Sequence, residues 1–233
     1  MKIIAVITGG GAGTRMNSLR PKQFIPIAGK MLIEHTLETF EHHNMIDGIV
    51  IVLPENELDA FKLLQKENKL GKKVITIIAG GTTRQDSVRL GLEAIGNADY
   101  AVIHDAARCL VTKEELTHTI QKCIDGWQGA ICALPVRDTL KRVDGETILA
   151  TEPREQLWGM QTPQVFEFAL IKKAYQKAKD EKFNATDDAQ VAERAGAKIC
   201  VVPGKSTNIK VTYVEDLALV EMILMARKDH IHL

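Results

Sequence analysis

Short apolar runs recur along the chain and alternate with longer amphipathic stretches. Each run is too short for an ordinary helix and is rich in Ile and Val, which is typical of strands buried on both faces. The runs predict strands over residues 3–7, 48–53, 73–79, 100–104, 129–135 and 197–203.

The stretches between these runs have helical length and repeat their apolar residues every three or four positions. In the first of them Ile33, Leu37 and Phe40 fall on a single helical face. Helices are predicted over residues 31–43, 55–68, 85–95, 113–124, 167–179 and 214–228. Strands that alternate with helices predict an α/β fold with a mostly parallel sheet flanked by helices.

Residues 136–162 break this alternation, because no crossover helix fits there. Strand-like pieces surround Asp144-Gly145, a strong hairpin-turn signal. We therefore expect a protruding β-arm over 136–162. A hairpin is marginally stable alone, so we expect the arm to pack on a partner subunit and support dimerisation.

Composition narrows the classes of protein. A chain of 233 residues with 45% apolar residues suits a single domain over 1–233. The 30 basic and 30 acidic residues cancel, which argues against general affinity for nucleic acid. The first apolar run is too short for a signal peptide or a membrane span, so a cytoplasmic location is expected. The four cysteines lack C-x-x-C spacing, which favours reduced, mostly buried thiols.

The glycine-rich turn "TGGGAGTRM" follows the first predicted strand at residues 8–16. It fails the dinucleotide fingerprint, because Thr14 or Met16 stands where a third glycine belongs. It also fails the P-loop pattern, which needs a lysine after its second glycine. Small residues still let backbone N–H groups approach an anion, and Arg15 and Lys22 flank the loop as two cations for a polyphosphate. A tight strand–helix connection is the alternative.

Two further stretches carry candidate chemistry. In "GGTTRQDSV", Gly81 and Ser87 suit contacts to a pyrimidine base, although a helix cap by Asp86 or Ser87 is the simpler explanation. "HDAARCL" places Asp105 and Arg108 where a strand ends, the usual position of ligand sites in open α/β sheets. Asp105 there can bind a metal ion or a substrate hydroxyl, or form a buried ion pair, and Arg108 can bind phosphate.

Other candidates have simpler interpretations beside the functional ones. Lys210 lies in the strand-like run "STNIKVT" and is also explained as an edge-strand lysine. "TDD" at 186–188 is most simply a helix N-cap. His104 adjoins the candidate site but is expected to be packed or hydrogen-bonded rather than a general base, and His35 is expected to be structural.

Taken together, these stretches resemble the 2-C-methyl-D-erythritol 4-phosphate cytidylyltransferases, within the Rossmann-like sugar-phosphate nucleotidyltransferases. The stretches that carry the resemblance are "GGGAGTRM…RPKQF", "GGTTRQDSV", "HDAARCLV", "PVRDTLK", "REQLWGMQTPQVF", "ATDDAQVAE" and "NIKVTYVEDLAL". Seven motifs in order over nearly the whole chain are specific, although each alone is weak. The resemblance implies transfer of a cytidylyl group from CTP to the sugar-alcohol phosphate, with Mg²⁺ and a homodimer.

The resemblance also implies roles for individual residues. Catalysis falls to Arg15, Lys22 and Lys210. Binding of CTP falls to Gly9, Gly10, Gly11, Ala12, Gly13, Thr14, Gly81 and Ser87. Binding of the sugar phosphate falls to Asp105, Arg108, Thr139, Arg154 and Thr162, with Asp105 also the metal candidate. Thr139 and Arg154 lie on the arm and would serve the neighbouring subunit.

Some residues depart from the family pattern. Glycines stand in "TGGG" where the family usually has alanines, and Thr82 replaces a common acidic residue, which leaves the base and ribose contacts open. Ribitol 5-phosphate cytidylyltransferase is the alternative enzyme, because it shares the loop, "QTPQ" and "NIKVT". An NAD-dependent oxidoreductase and a non-catalytic nucleotide-binding protein are alternatives from other classes.

Overall fold

A central sheet of seven strands organises the described part of the chain. The computed structural model describes residues 1–10 and 21–229. The strands of the sheet are β1 (Ile3–Thr8), β4 (Gly48–Leu53), β5 (Val74–Ala79), β6 (Tyr100–Asp105), β7 (Gly129–Pro135), β10 (Trp158–Glu167) and β11 (Ile199–Pro203). Short strands β2 (Pro26–Ile27) and β3 (Lys30–Met31) pair separately, as do β8 (Leu140–Asp144) and β9 (Thr147–Glu152). All six predicted strands are present.

The sheet is mostly parallel, as predicted. Its strand order is β11-β7-β10-β6-β1-β4-β5. Strand β1 pairs in parallel with β4 and β6, β4 with β5, and β11 with β7, whereas β10 runs antiparallel to both β6 and β7. Strand β10 was not predicted, because Pro163 and the polar residues around it interrupt the apolar pattern that marks a central strand. A register shift between Met160 and Gln164 accommodates this interruption.

The described chain contains seven α-helices. They are α1 (Leu32–Glu41), α2 (Leu58–Lys66), α3 (Arg84–Glu93), α4 (Lys113–Ile124), α5 (Phe168–Asp180), α6 (Asp188–Arg194) and α7 (Val214–Lys228). The six predicted helices are confirmed within a few residues at their ends. Helix α6 was missed as a helix, but its predicted cap is confirmed, because Asp187 Oδ1 accepts the Gln190 backbone N–H at 2.9 Å.

Alternation along β1 shows how the helices form a layer on each face. Ile3, Ala5 and Ile7 pack in one buried cluster with residues of α1 and α4. Ile4 and Val6 pack in another with residues of α3 and α5. Because neighbouring side chains of a strand point to opposite faces, the two clusters lie on opposite sides of the sheet.

The two edge strands are less buried than predicted. Ile75 on β5 is 54% exposed and Val201 on β11 is 42% exposed. The expectation of burial on both faces is therefore wrong for these two strands, since among the described strands each pairs on one side only. In contrast, every residue of β1 and β4 is buried.

The predicted hairpin is present. Strands β8 and β9 are antiparallel, and Gly145 in the turn has a φ of +55°, which favours glycine. The predicted range 136–162 is too long, because Trp158 already pairs with Pro135 in the central sheet. The arm is therefore residues 136–157. Among the described residues, no helix is long and apolar enough to cross a membrane.

Candidate active site

The candidate site lies where the parallel strands β1, β4, β5 and β6 end. Thr8 and Asp105 are register partners at the ends of β1 and β6. Gly9 donates its backbone N–H to Val52 O at 2.8 Å, and Gly80 donates to Leu53 O at 2.8 Å. The loops that leave β1 and β5 are therefore held against the end of β4, at the sheet edge where such folds bind ligands.

The start of the glycine-rich turn approaches α3 closely. A Cβ added at Gly10 would lie 3.1 Å from Ser87 Oγ, and one at Gly9 would lie 3.0 Å from the Leu53 side chain. Gln23 Nε2 donates to Gly9 O and fixes the turn from the other side. The rest of the predicted cradle lies outside the described residues: Gly11, Ala12, Gly13, Thr14 and Arg15.

The β5–α3 loop meets the same point. Gly81 donates its N–H to Ser87 Oγ at 3.1 Å, and that hydroxyl donates to Thr83 O at 2.9 Å. A Cβ added at Gly80 would lie 2.7 Å from Ser87 Oγ, so a larger residue there would force the Ser87 side chain to shift. The structure thus brings Gly81 and Ser87 next to Gly10. Their contacts to a base stay a prediction.

The predicted cap of α3 is wrong. Thr83 is the N-cap, and its Oγ1 accepts the Asp86 backbone N–H at 3.0 Å. Asp86 and Ser87 lie inside the helix, whereas a capping side chain must precede its first turn. The helix begins one residue before its predicted start, at Arg84.

Lys22 joins the first loop to the segment that carries Lys210. Lys22 follows Pro21 and opens a short 3₁₀ helix, and its Nζ donates to Val211 O at 2.5 Å. Val211 in turn donates its N–H to Ala107 O at 2.9 Å. The two predicted catalytic lysines are therefore brought to one side of the site, although 189 positions separate Lys22 from Val211.

Asp105 is the buried centre of this arrangement. Lys210 Nζ lies 2.6 Å from its Oδ2, and Arg84 Nε lies 2.8 Å from its Oδ1. Burial alone would raise the pKa of Asp105, but the charges of Arg84 and Lys210 hold this pKa well below its usual range. The structure thus shows Asp105 in ion pairs, and its contacts to a metal or a hydroxyl stay predictions.

Lys210 does not lie in a strand. Residues 206–212 form a turn followed by irregular chain, so the edge-strand interpretation is wrong. The alternating pattern of "NIKVT" arises because Val211 is buried with Leu110 and Val220 under α7, while Lys210 points to Asp105. The alternation thus predicted the burial of Val211, but not the burial of Asn208 or the irregular backbone.

Arg84 extends the charged cluster to Asp188, to which the sequence analysis gave no role in the site. Its two terminal nitrogens bind Asp188 at 2.9 and 2.8 Å, while its Nε binds Asp105. Asp188 is fully buried and also accepts the hydroxyl of Tyr175. Burial opposes the charge of Arg84, but Asp188 and Asp105 raise its pKa well above the usual value. The only sequence signal for this role was the second aspartate of "TDD", because one aspartate is enough to cap α6.

Thr162 and His104 support Asp105 from β10 and β6. Thr162 Oγ1 accepts the Asp105 backbone N–H at 3.2 Å and lies 2.9 Å from His104 Nδ1. His104 Nε2 lies 3.2 Å from Arg108 O, a carbonyl that only accepts, so Nε2 carries the proton. Burial lowers the pKa of His104 to about 3. The imidazole is thus neutral, buried and hydrogen-bonded, as predicted, and the absence of a general-base role stays a prediction.

Arg108 faces the same side of the site. Its Nη1 donates to Asn208 O at 2.8 Å, and burial lowers its pKa from the usual value. Arg108, Thr162, Asp105 and Lys210 are thus joined through direct contacts or through Asn208. Among the described residues, no contact joins Thr139 or Arg154 to this group. Both are exposed, and Arg154 donates to Arg137 O on the arm.

The family model IspD, described as 2-C-methyl-D-erythritol 4-phosphate cytidylyltransferase, matches residues 3–226. The chain belongs to this cytidylyltransferase family. Relatives of that name from Halalkalibacterium halodurans and Haemophilus ducreyi are each 42% identical to it. They are aligned over 98% and 96% of this chain and 99% and 96% of their own lengths.

A solved structure supports the same family. The crystal structure of 4-diphosphocytidyl-2C-methyl-D-erythritol synthase from Anaerococcus prevotii matches with a TM-score of 0.82 and 30% identity. The match covers 96% of each chain. The family resemblance and the Rossmann-like fold are therefore confirmed. Membership of a cytidylyltransferase family also removes the NAD-dependent oxidoreductase hypothesis.

The smaller predictions on side chains are confirmed for the described cytidylyltransferase chain. The four cysteines are free, and three of them are buried. His35 is buried in α1, with its Nε2 2.9 Å from Ile27 O.

Proposed function

We propose that this chain transfers the cytidylyl group of CTP to 2-C-methyl-D-erythritol 4-phosphate. The products would be pyrophosphate and 4-diphosphocytidyl-2-C-methyl-D-erythritol, an intermediate of non-mevalonate isoprenoid biosynthesis. Beside the family membership, one observation carries the proposal. Lys210 pairs with Asp105 at the end of β6, and Lys22 binds the carbonyl of Val211, the residue next to Lys210.

The first half of the site suits CTP. The backbone at Gly9 and Gly10 begins the phosphate cradle, which Gly11, Ala12, Gly13, Thr14 and Arg15 would continue. Gly81 and Ser87 would contact the cytosine beside it. Glycines fit both loops because they let backbone N–H groups approach an anion or a base edge closely.

The second half suits a polyol phosphate. Arg108 and Lys210 would bind its phosphate, and Asp105 and Thr162 would meet its hydroxyl groups. Asp105 is the acceptor in this half, and a substrate hydroxyl would replace one of its present cationic contacts. The cations stay close enough to hold the incoming phosphate against CTP.

The reaction needs little acid–base chemistry. A phosphate oxygen of the polyol phosphate attacks the α-phosphorus of CTP, an O–P bond forms, and the bond to the β-phosphate oxygen breaks. The attacking oxygen is already anionic near neutral pH, so no strong base is required. This agrees with the neutral, buried state of His104. The barrier comes from bringing anions together. Arg15, Lys22 and Lys210 would lower this barrier by their position and positive charge.

We include Mg²⁺ in the proposal as an ion held mainly by CTP. Among the described residues, no group of three or more His, Cys, Asp or Glu side chains is placed to hold a metal. A protein cage therefore does not fit, whereas Mg²⁺ commonly takes one carboxylate together with substrate phosphates. Asp105 would be that carboxylate. When bound, the ion would neutralise charge on the triphosphate.

A homodimer is also proposed, located in the cytoplasm where phosphorylated substrates are made. On the arm, Val143, Ile148 and Leu149 are exposed apolar residues. Val143 and Ile148 are register partners on one face of the hairpin, and Leu149 lies on the other. Exposed apolar residues on a hairpin are unfavourable in an isolated subunit, which supports their burial by a partner. The arm would then deliver Thr139 and Arg154 to the neighbouring site.

The assay that tests the function is release of pyrophosphate from CTP with each polyol phosphate. We expect faster turnover with 2-C-methyl-D-erythritol 4-phosphate than with ribitol 5-phosphate. The two substrates differ by small groups, so discrimination of about 1–3 kcal/mol is expected. Faster turnover with ribitol 5-phosphate would transfer the assignment to that enzyme. Binding of CTP without turnover of either would favour the non-catalytic alternative.

A further inference from the structure

Asn208 is a buried junction beside the polyol phosphate half of the site. Its side-chain Nδ2 donates to Thr162 O at 2.9 Å and to Glu115 Oε1 at 3.1 Å. Its backbone carbonyl accepts from Arg108 Nη1 at 2.8 Å and from Gln161 Nε2 at 3.2 Å. One residue thus contacts both Thr162 and Arg108, and Lys210 follows two positions later.

Glu115 anchors this junction from α4. It is buried, and its Oε1 also accepts the Lys205 backbone N–H at 3.0 Å. Its Oε2 accepts from Thr112 N and Oγ1 at 2.9 and 3.0 Å. Glu115 forms no ion pair among the described residues, so hydrogen bonds compensate its burial there. Such charge-assisted bonds are strong and directional, which makes the carboxylate a rigid reference point.

The side chain of Asn208 is held by its donor bonds. Its Oδ1 is buried without a hydrogen-bond partner in the described chain. Orientation of the amide therefore depends on the two acceptors, Glu115 Oε1 and Thr162 O. An aspartate of the same shape has no donor to offer either of them when ionised, and it would face the Glu115 carboxylate.

We propose that Asn208 is a positioning residue for the polyol phosphate, with Glu115 as its anchor. The proposal rests on the proposed function, because it concerns the same site. Asn208 binds the Thr162 carbonyl through its side chain and the Arg108 guanidinium through its backbone carbonyl. It also fixes the backbone two residues before Lys210. Its direct hydrogen bonds to site residues are with Thr162 and Arg108, which both belong to the polyol phosphate half. Among the described residues it has none with Gly9, Gly10, Gly81 or Ser87, so we expect its main effect on binding of the polyol phosphate.

A structural role would give a different result from a positioning role. Loss of packing lowers the amount of folded protein and leaves each folded molecule with normal affinities. Loss of positioning weakens binding of the polyol phosphate and leaves binding of CTP unchanged. The KM values for the two substrates, measured separately, distinguish these cases.

Asn208→Asp and Asn208→Ala are the test variants, and Glu34→Gln is the matched control. Glu115 is the third residue of a capping box at the start of α4, and its Oε2 accepts the Thr112 N–H. Glu34 has the same position in α1, where its Oε2 accepts the Met31 N–H at 2.6 Å, and it has no hydrogen bond with Asn208 in the described chain. We expect KM for 2-C-methyl-D-erythritol 4-phosphate to rise about tenfold or more in the test variants. KM for CTP should stay within about twofold, and the control should change neither.

Binding measurements keep the test independent of turnover. Calorimetry with the α,β-methylene analogue of CTP present gives Kd of the polyol phosphate for wild type and variants. A selective loss of polyol phosphate affinity supports the proposal. Equal changes for both substrates, or no change in a folded variant, would overturn it. If neither Asn208 variant folds, Glu115→Gln provides the same comparison with a near-isosteric change.

The wild-type measurement separates the two claims. A wild type that binds the polyol phosphate but releases no pyrophosphate would overturn the proposed function, while the affinities of the variants would still decide the role of Asn208. A wild type that binds neither 2-C-methyl-D-erythritol 4-phosphate nor ribitol 5-phosphate would overturn both.

Discussion

Lys22 offers the most direct test at the scale of single residues. Lys22→Ala should lower kcat about 10²- to 10³-fold, because one cation that stabilises the developing charge is lost, equivalent to about 3–4 kcal/mol. The fold should persist, since Lys22 is partly exposed and belongs to neither core layer. Steady-state pyrophosphate release and circular dichroism measure the two effects.

The matched control for Lys22 is Lys30→Ala. Lys30 lies nearby in sequence and forms an exposed ion pair with Glu38 at 2.7 Å. Exposed pairs contribute little, so this variant should retain its rate. A near-normal rate in Lys22→Ala, or an equal loss in both variants, would contradict the role of Lys22 in charge stabilisation.

His104 makes a prediction about stability and pH. Its pKa is about 3 in the folded chain and about 6.5 when unfolded. The unfolded state therefore binds the proton first, and the free energy of unfolding should fall as pH falls from about 6.5 towards 3, by up to about 1.4 kcal/mol per pH unit. Urea unfolding between about pH 5 and pH 7 measures this slope where carboxylates titrate little.

Two variants isolate the His104 contribution. His104→Gln should be less stable at neutral pH and should lose most of the slope between about pH 5 and 6.5, with a remainder from His43, whose pKa burial also lowers. His118→Gln serves as the control because His118 is exposed on α4. The same slope in His104→Gln as in wild type would mean that His104 is not the group that titrates.

At this scale, sequence identified the charged residues better than their partners. Asp105, Arg108 and Lys210 were found because they lie in motifs beside predicted strands. Arg84, Asp188 and Asn208 were not assigned, although all three lie in quoted motifs. Their roles depend on contacts 104 and 46 positions apart along the chain, which local pattern does not report.

At the scale of elements, hydrophobic periodicity predicted most of the strands and helices that build both core layers, but it missed α6, which also contributes buried residues. It also failed for β10, where Pro163 and buried polar residues interrupt the apolar pattern, although Val165 and Phe166 are buried in the two core layers. Gln164, for example, is buried in β10 and accepts the Ala189 N–H at 3.0 Å. Burial at the two sheet edges was overestimated for a related reason, since the apolar pattern does not state which strand is central.

The arm gives the prediction for an element. Ile148 is 62% exposed on β9, so Ile148→Glu should leave the subunit folded but weaken a dimer that buries this face. Sedimentation equilibrium should show a shift towards monomer at micromolar concentration. Leu63→Glu is the control, because Leu63 is 56% exposed on α2, outside the arm. An unchanged assembly in Ile148→Glu would remove the arm from the interface.

At the scale of the whole molecule, the decisive question is whether a site uses residues of two subunits. Within one chain Arg154 has no contact with the Asp105 cluster among the described residues, yet the family resemblance assigns it to substrate binding. If the partner's arm supplies it, Arg154→Ala and Lys210→Ala fall in the same site of a mixed dimer. One site then carries both changes and the other carries neither. Random exchange of equal amounts should then restore about a quarter of wild-type activity, because half of the dimers are mixed and each has one intact site.

Pyrophosphate release measures this recovery after the two variants are refolded together. Each variant refolded alone is the control. Activity that stays at the level of the single variants would show that Arg154 acts within its own subunit or not at all, and the arm would then serve assembly without catalysis.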